Sequence, residues 1–66
     1  MLVIRKSLLT GETNSRYLDI TDEQLRAWTQ GELAQVAFPN LTAGEREFVI
    51  SGITEQEWER FLGAEA

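Results

Sequence analysis

The side chains of this chain that could do chemistry are arginines and carboxylates, because it contains neither histidine nor cysteine. It therefore lacks the commonest general base, thiol nucleophiles and the usual zinc ligands. The 66 residues also contain no GxGxxG or Walker-type phosphate loop. Paired carboxylates can perform acid–base catalysis, but here the acids stand in predicted first turns of helices and on solvated faces. We expect a non-enzymatic protein with no metal site and no cofactor.

Arg46 is the foremost candidate for binding a ligand. The sequence around it predicts the start of a helix, with Arg46 at the fourth helical position, where an apolar side chain usually packs against the residue before the cap. Leu41 is that preceding residue, and it lacks its usual partner. Two interpretations stay open. Arg46 either lays its stem over Leu41 or pairs with an acid, or its planar guanidinium binds a phosphate or carboxylate through two hydrogen bonds.

Arg5 and Arg16 are the second pair of candidate ligand-binding residues. A predicted hairpin brings them close across two strands, and with Lys6 they would form a small anion-binding patch. The alternative is that these cations protect an exposed strand edge against aggregation.

The aromatic residues supply the remaining candidates. We expect Tyr17 and Phe38 to be the more exposed aromatic residues, where a ring can stack on a nucleotide base or anchor a protein interface, although Phe38 is also a candidate for the core. We expect Trp28 and Trp58 in the core, since Trp28 lies one turn after an apolar residue and Trp58 occupies a position that packs against a helix cap.

Two strands predicted at the start of the chain must position Arg5, Arg16 and Tyr17. Residues 2–9 are rich in apolar and β-branched side chains, and residues 16–20 alternate between two faces, with Leu18 and Ile20 on the same one. Residues 10–15 are turn formers, so we expect an antiparallel hairpin with a six-residue loop.

Helices predicted after residue 20 must position Arg46 and Phe38. Thr21, Thr42 and Thr54 each open a capping box, in which a Glu or Gln three residues later bonds back to the threonine amide. Glycines suited to helix ends follow at positions 31, 52 and 63. The predicted helices span residues 22–30, 32–37, 43–51 and 55–62.

These elements predict an α+β fold: a single domain over residues 1–66, with an antiparallel β-hairpin in residues 1–20 and three to four short helices in residues 21–63. Neither the hairpin nor any helix is stable alone, so they must share a core, and we expect a homo-oligomer. The predicted helical core consists of Leu25, Trp28, Leu33, Val36, Phe38, Leu41, Phe48, Val49, Ile53, Trp58, Phe61 and Leu62.

The net charge of −5 is unevenly distributed, with +1 in residues 1–20 and −6 in residues 21–66. An acidic helical half repels duplex nucleic acid and anionic membranes, and attracts a basic protein surface. The apolar start, Met1 to Ile4, is too short for a signal peptide, and its cations follow it. We expect a cytoplasmic protein that binds neither membranes nor duplex nucleic acid.

Several short motifs stand in a fixed order along the chain. They are Thr10-Gly11, Trp28, Gly31, Gln35, Phe38-Pro39-Asn40-Leu41-Thr42, Arg46-Glu47-Phe48, Gly52-Ile53-Thr54 and Glu57-Trp58. Over about residues 9–61 this pattern resembles a family of very small, uncharacterised bacteriophage and prophage proteins. The chain departs from that pattern at Gly44, where such proteins commonly have an acid.

The resemblance implies a role inside an infected host cell, where small non-enzymatic phage proteins often counter host defence. One hypothesis is an oligomeric sponge that sequesters a nucleotide signal of host immunity, with Arg46, Arg16 and Arg5 clamping phosphate and Tyr17 or Phe38 stacking on the base. The alternative is an acidic inhibitor of a host defence or nucleic-acid-binding protein. A second alternative is a phage accessory or structural protein.

Overall fold

The chain has the predicted α+β architecture, in which an antiparallel hairpin precedes four helices, in a computed structural model that describes residues 1–61. No helix within that range is both long and apolar enough to cross a membrane. The elements are β1 (Leu2–Lys6), β2 (Thr13–Tyr17), α1 (Asp22–Thr29), α2 (Ala34–Ala37), α3 (Ala43–Ser51) and α4 (Glu55–Phe61).

The hairpin forms with the predicted loop length, but both predicted strand ranges were wrong. β1 ends at Lys6 because Ser7 starts the loop. The Ser7 hydroxyl oxygen accepts hydrogen bonds from the backbone amides of Leu9 and Thr10, each at 3.2 Å. The Gly11 amide then bonds to the Ser7 carbonyl at 2.9 Å. The loop therefore spans residues 7–12 rather than 10–15.

β2 begins at Thr13, within the polar segment that the sequence assigned to the turn. Asparagine and serine are poor strand formers, so propensity alone excludes this segment from a strand. A tertiary contact overrides that preference: the Asn14 side-chain amide donates to the Gly52 carbonyl at 2.9 Å. Leu18 and Ile20 follow the end of β2, and both are buried, as the predicted alternation of buried and exposed side chains requires.

The two faces of the hairpin have different surroundings. The register pairs Val3 with Arg16 and Arg5 with Asn14, so these four side chains share one face, which we call the inner face. Val3 of the inner face is buried in the core. The outer face carries Leu2, Ile4, Lys6, Thr13, Ser15 and Tyr17, all exposed.

The predicted starts of α1, α3 and α4 are confirmed, whereas α2 begins at Ala34 rather than at residue 32. Thr21 with Gln24 and Thr42 with Glu45 form complete capping boxes, in which side chain and backbone exchange hydrogen bonds in both directions. α3 ends at Gly52, which adopts the left-handed conformation with φ of 75°. The predictions for Leu62 and Gly63 lie outside the described residues.

The hydrophobic core lies between the inner face of the hairpin and the helices. Trp28 and Leu25 of α1 pack against it while staying partly exposed. The Trp28 ring lies 6.0 Å from that of Phe38, centroid to centroid. The buried members are Val3, Leu18, Ile20, Ala37, Phe38, Leu41, Phe48 and Val49.

Four predicted core residues are instead exposed. Leu33 and Val36 are 63% and 55% exposed, because the single turn of α2 directs Ala37 and then Phe38 into the core. Trp58 and Phe61 of α4 are 37% and 46% exposed. The buried residue of α4 is Glu57. The helix therefore turns a carboxylate towards the rest of the molecule, where Trp58 and Phe61 were expected to pack.

Gly52 and Gly11 allow a matched test of how closely α3 approaches the hairpin. Both have φ near 75–78°, but an added Cβ at Gly52 would lie 2.5 Å from the Lys6 carbonyl oxygen, whereas at Gly11 the nearest atom is the Lys6 Cε at 4.0 Å. We expect Gly11→Ala to lower the free energy of unfolding by about 1 kcal/mol, the cost of the left-handed conformation. Gly52→Ala should cost about 3 kcal/mol, because backbone must also move.

Urea denaturation followed by Trp fluorescence measures both changes. Equal losses in the two variants would show that the end of α3 does not rest on β1.

Candidate functional site

Glu57 has the most extensively bonded side chain in the described structure, and it is 2% exposed. Its Oε1 accepts the Thr54 backbone amide at 2.9 Å, while the Glu57 amide donates to the Thr54 hydroxyl at 3.2 Å, completing the third predicted capping box. Its Oε2 accepts the Thr10 hydroxyl at 2.6 Å and the Asn14 amide at 3.2 Å. One carboxylate thus caps α4 and binds the hairpin.

Further hydrogen bonds join the hairpin to the same part of the helical half. The Leu8 amide donates to the Ser51 carbonyl at 3.0 Å, next to the bond between Asn14 and Gly52. We call the contact between residues 7–14 and residues 51–57 the loop junction. It is built from polar groups, and it fixes where the hairpin lies relative to α3 and α4.

The loop junction lowers the pKa of Glu57 from 4.5 to about 2. The Thr10 hydroxyl is the largest cause, and hydrogen bonds from the Thr54 backbone and from the Asn14 and Ser7 side chains act in the same direction. Burial opposes them by disfavouring the charged form. Hydrogen bonding to the ionised form outweighs that cost, so Glu57 is a structural anion at neutral pH and a poor general base.

An open cleft of about 350 Å³ lies beside the loop junction. It contains one arginine and one glutamate among hydroxyl and amide groups. The lining residues are Asn14, Ser15, Arg16, Thr54, Glu55 and Gln56. Within residues 1–61 the acidic side chains also form no group able to hold a metal ion.

Arg46 uses its guanidinium within the fold. Its Nη1 donates to the Leu41 carbonyl at 2.8 Å, across the cap of α3. This hydrogen bond to the backbone is neither the stem laid over Leu41 nor the pairing with an acid that the sequence suggested, although it holds the guanidinium at Leu41. The side chain is half-buried, so only part of its donor set faces solvent.

Arg5 and Arg16 lie on the inner face, as diagonal neighbours across the two strands. The Arg16 guanidinium carbon is 5.8 Å from the Phe48 ring centroid, and that of Arg5 is 6.0 Å from the Trp28 ring centroid, within cation–π range. Arg5 also approaches the Ile50 carbonyl at 3.4 Å, and its Nε is buried without a hydrogen-bond partner. Lys6, the third cation of the predicted patch, projects from the opposite face.

Of the two expectations for Phe38, its place in the core is confirmed and its exposure was wrong, whereas Tyr17 is 82% exposed as expected. Phe38 is fully buried because it follows α2 directly and fills the centre of the core. Tyr17 belongs to the outer face, opposite Arg16 and Arg5. A single copy therefore does not bring Arg46, Arg5, Arg16, Tyr17 and Phe38 together into one pocket.

Positive and negative charges differ in depth. Arg5, Arg16 and Arg46 are half-buried against rings and carbonyls, while seven of the ten described carboxylate residues are exposed. The ion pair found within residues 1–61 joins Arg60 to Glu12 at 3.9 Å, and both side chains are more than half exposed, so it neutralises little. The exposed acids are Glu12, Asp19, Asp22, Glu23, Glu32, Glu55 and Glu59.

Two features were missed by the sequence analysis. The junction role of Glu57 has a partial signal, because the third capping box marks it, but nothing in the sequence connects it to Thr10 and Asn14. The exposed apolar outer face had a clearer signal: residues 2–4 are apolar without alternation, a pattern typical of strands covered on both sides.

Comparison with protein-family models, with curated proteins and with solved structures found no match for the chain. Three features of the molecule bear on its function: the polar loop junction, the exposed acids and the outer face of the hairpin.

Replacing Glu57 by glutamine should destabilise the protein more than the same change at Glu45. Gln24 shows that glutamine completes a capping box, so Glu45→Gln should change the free energy of unfolding by less than about 0.5 kcal/mol. In Glu57→Gln an amide nitrogen or a weaker acceptor would face the Thr10 hydroxyl and the Asn14 amide. The loss should be clearly larger.

The same pair of proteins tests the pH dependence. Since the pKa of Glu57 is lower in the folded state, the stability it contributes is fully present above about pH 4.5 and is lost as the pH falls towards about 2. Urea midpoints measured across this range should fall less steeply in Glu57→Gln than in Glu45→Gln. Parallel curves would contradict the assignment.

Proposed function

We propose that this chain is a non-catalytic protein-binding module that acts in the cytoplasm of a host cell, where its acidic surface occupies a basic surface of a partner protein. A nucleic-acid-binding or defence protein of the host has the matching chemistry, and occupying its basic surface would inhibit it. The resemblance to small phage proteins supplies the setting.

The observation that carries this proposal is the excess of acids among the exposed charges. Seven acidic side chains are exposed against the three exposed cations Lys6, Arg26 and Arg60, so the described surface keeps the acidic excess of the sequence. Such a surface attracts a basic partner protein over a Debye length and repels nucleic acid. It can therefore compete with nucleic acid for the basic surface of that partner.

α4 offers a defined part of this surface. Glu55 and Glu59 are exposed and lie one helical turn apart, on the same face of the helix. Glu57 turns inward between them, so the loop junction anchors the helix that presents these two carboxylates.

Neutralising these carboxylates should slow association with a basic partner. The partner is first recovered from a host lysate at low salt, and the association rate is then measured by surface plasmon resonance. For Glu55→Gln/Glu59→Gln we expect a rate roughly tenfold lower at low salt, and a weaker dependence on salt.

A matched control variant is Gln30→Lys/Gln35→Lys, which changes the net charge by the same amount at exposed positions elsewhere. It should keep an association rate closer to that of the unmodified protein. A lysate that yields no partner at low salt would contradict the protein-binding proposal. Equal slowing of association by both variants would show that α4 is not the binding surface.

The nucleotide sponge is the second candidate, and the exposed ring of Tyr17 favours it. A site for a nucleotide would have to combine residues of two or more copies, since Tyr17 and the arginines face different ways within one copy. Arg46 would also have to release or share its bond to Leu41.

Native mass spectrometry with a panel of cyclic and linear nucleotides distinguishes the two candidates. The protein-binding proposal predicts that the chain takes up no nucleotide. Nucleotide mass gained at a fixed stoichiometry, and lost on Tyr17→Ser, would favour the sponge instead.

A further inference from the structure

Half of the outer face of the hairpin, at Leu2, Ile4 and Tyr17, is apolar or aromatic although nothing in the described structure covers it. Leu2, Ile4 and Tyr17 are 46%, 61% and 82% exposed on this face. The solvent side of an antiparallel sheet normally carries polar side chains, and strands that are apolar on both sides are normally covered on both. β1 has this second pattern, since Val3 is buried between Leu2 and Ile4.

We propose that the outer face is a dimer interface, covered by the outer face of a second copy of this chain. The inference is independent of the proposed function, because it concerns a surface other than the acidic one and needs no other partner. The choice of a second copy rests on charge, on the symmetry of the face and on its size.

Charge favours a second copy at this face and disfavours one elsewhere. The outer face has one charged side chain, Lys6, and no acid. The helices pack on the inner side of the hairpin, and among their exposed acids Glu55 reaches the edge of the outer face, where it lines a cleft with Ser15. Two copies stacked through their outer faces, with sheets about 10 Å apart, would bring fewer like charges together than helix-to-helix contact would.

The symmetry of the face also permits self-association. If the two-fold axis runs across the strands near Ile4, β1 lies antiparallel to its counterpart and the two lysines at position 6 stay about 14 Å apart along the strand direction. Each Lys6 then lies over the end of the other copy that holds Leu2 and Tyr17. An ammonium group beside a tyrosine ring is a favourable cation–π arrangement.

The size of the face limits the strength of the dimer. Five paired residues make a sheet about 17 Å long, so the interface falls at the lower end of specific interfaces, below about 1,200 Å² in total. We expect a dissociation constant in the micromolar range, which makes dimerisation dependent on protein concentration.

Sedimentation velocity of the full chain, over about a hundredfold range of concentration, tests the inference. The unmodified protein should shift from monomer to dimer. Ile4→Thr/Tyr17→Thr should raise the dissociation constant by at least about tenfold, since threonine suits a strand but removes most of the apolar surface. The control Leu33→Thr/Val36→Thr changes two similarly exposed apolar residues on α2 and should dimerise like the unmodified protein.

A cross-linking experiment checks the geometry of the dimer. The chain has no cysteine, so Ile4→Cys introduces a single thiol, as does the control Leu33→Cys. A bismaleimide spanning about 10 Å should link two copies of Ile4→Cys and leave Leu33→Cys unlinked. The inference fails if the unmodified protein stays monomeric throughout, if the α2 control loses dimerisation instead, or if Leu33→Cys is the variant that cross-links.

Discussion

The carboxylate of Glu57 is the group on which the relative placement of hairpin and helices depends. It receives hydrogen bonds from Thr10 and Asn14 on one side and from the Thr54 amide on the other. A domain this small has little apolar area with which to fix its parts. A buried carboxylate surrounded by hydrogen-bond donors fixes the orientation instead. Its hydrogen bonds are complete in one arrangement of hairpin and helices, and any other arrangement leaves a buried charge unpaired at a cost in free energy.

That arrangement determines which groups remain at the surface. With the hairpin held over the core, Arg5 and Arg16 lie against aromatic rings, and Arg46 binds the carbonyl before α3. The acids of the helices stay in solvent. Leu2, Ile4 and Tyr17 then remain exposed on the outer face, whose one charged side chain is Lys6. The molecule thus offers two contrasting surfaces, one that we propose binds a basic partner and one that we propose binds a second copy.

The features that the sequence predicted correctly are those set by residues close together in the chain. Capping boxes placed the starts of α1, α3 and α4 because a threonine and a residue three positions later satisfy each other within one turn. Prediction from the sequence failed where distant contacts decide. β2 starts at Thr13 because Asn14 reaches Gly52, and Phe38 is buried because α2 is a single turn. The candidate arginines were identified by type, but their partners are carbonyls and rings that no spacing in the sequence reveals.

A double-mutant cycle between Thr10→Val and Glu57→Gln measures the central claim most directly. Thr10→Val removes, and Glu57→Gln removes or weakens, the same 2.6 Å hydrogen bond between the hairpin loop and α4. If that bond joins the two halves of the molecule, the double variant loses less free energy of unfolding than the two single variants together. Strictly additive losses would contradict the account, because they would show that Thr10 and Glu57 stabilise the protein independently.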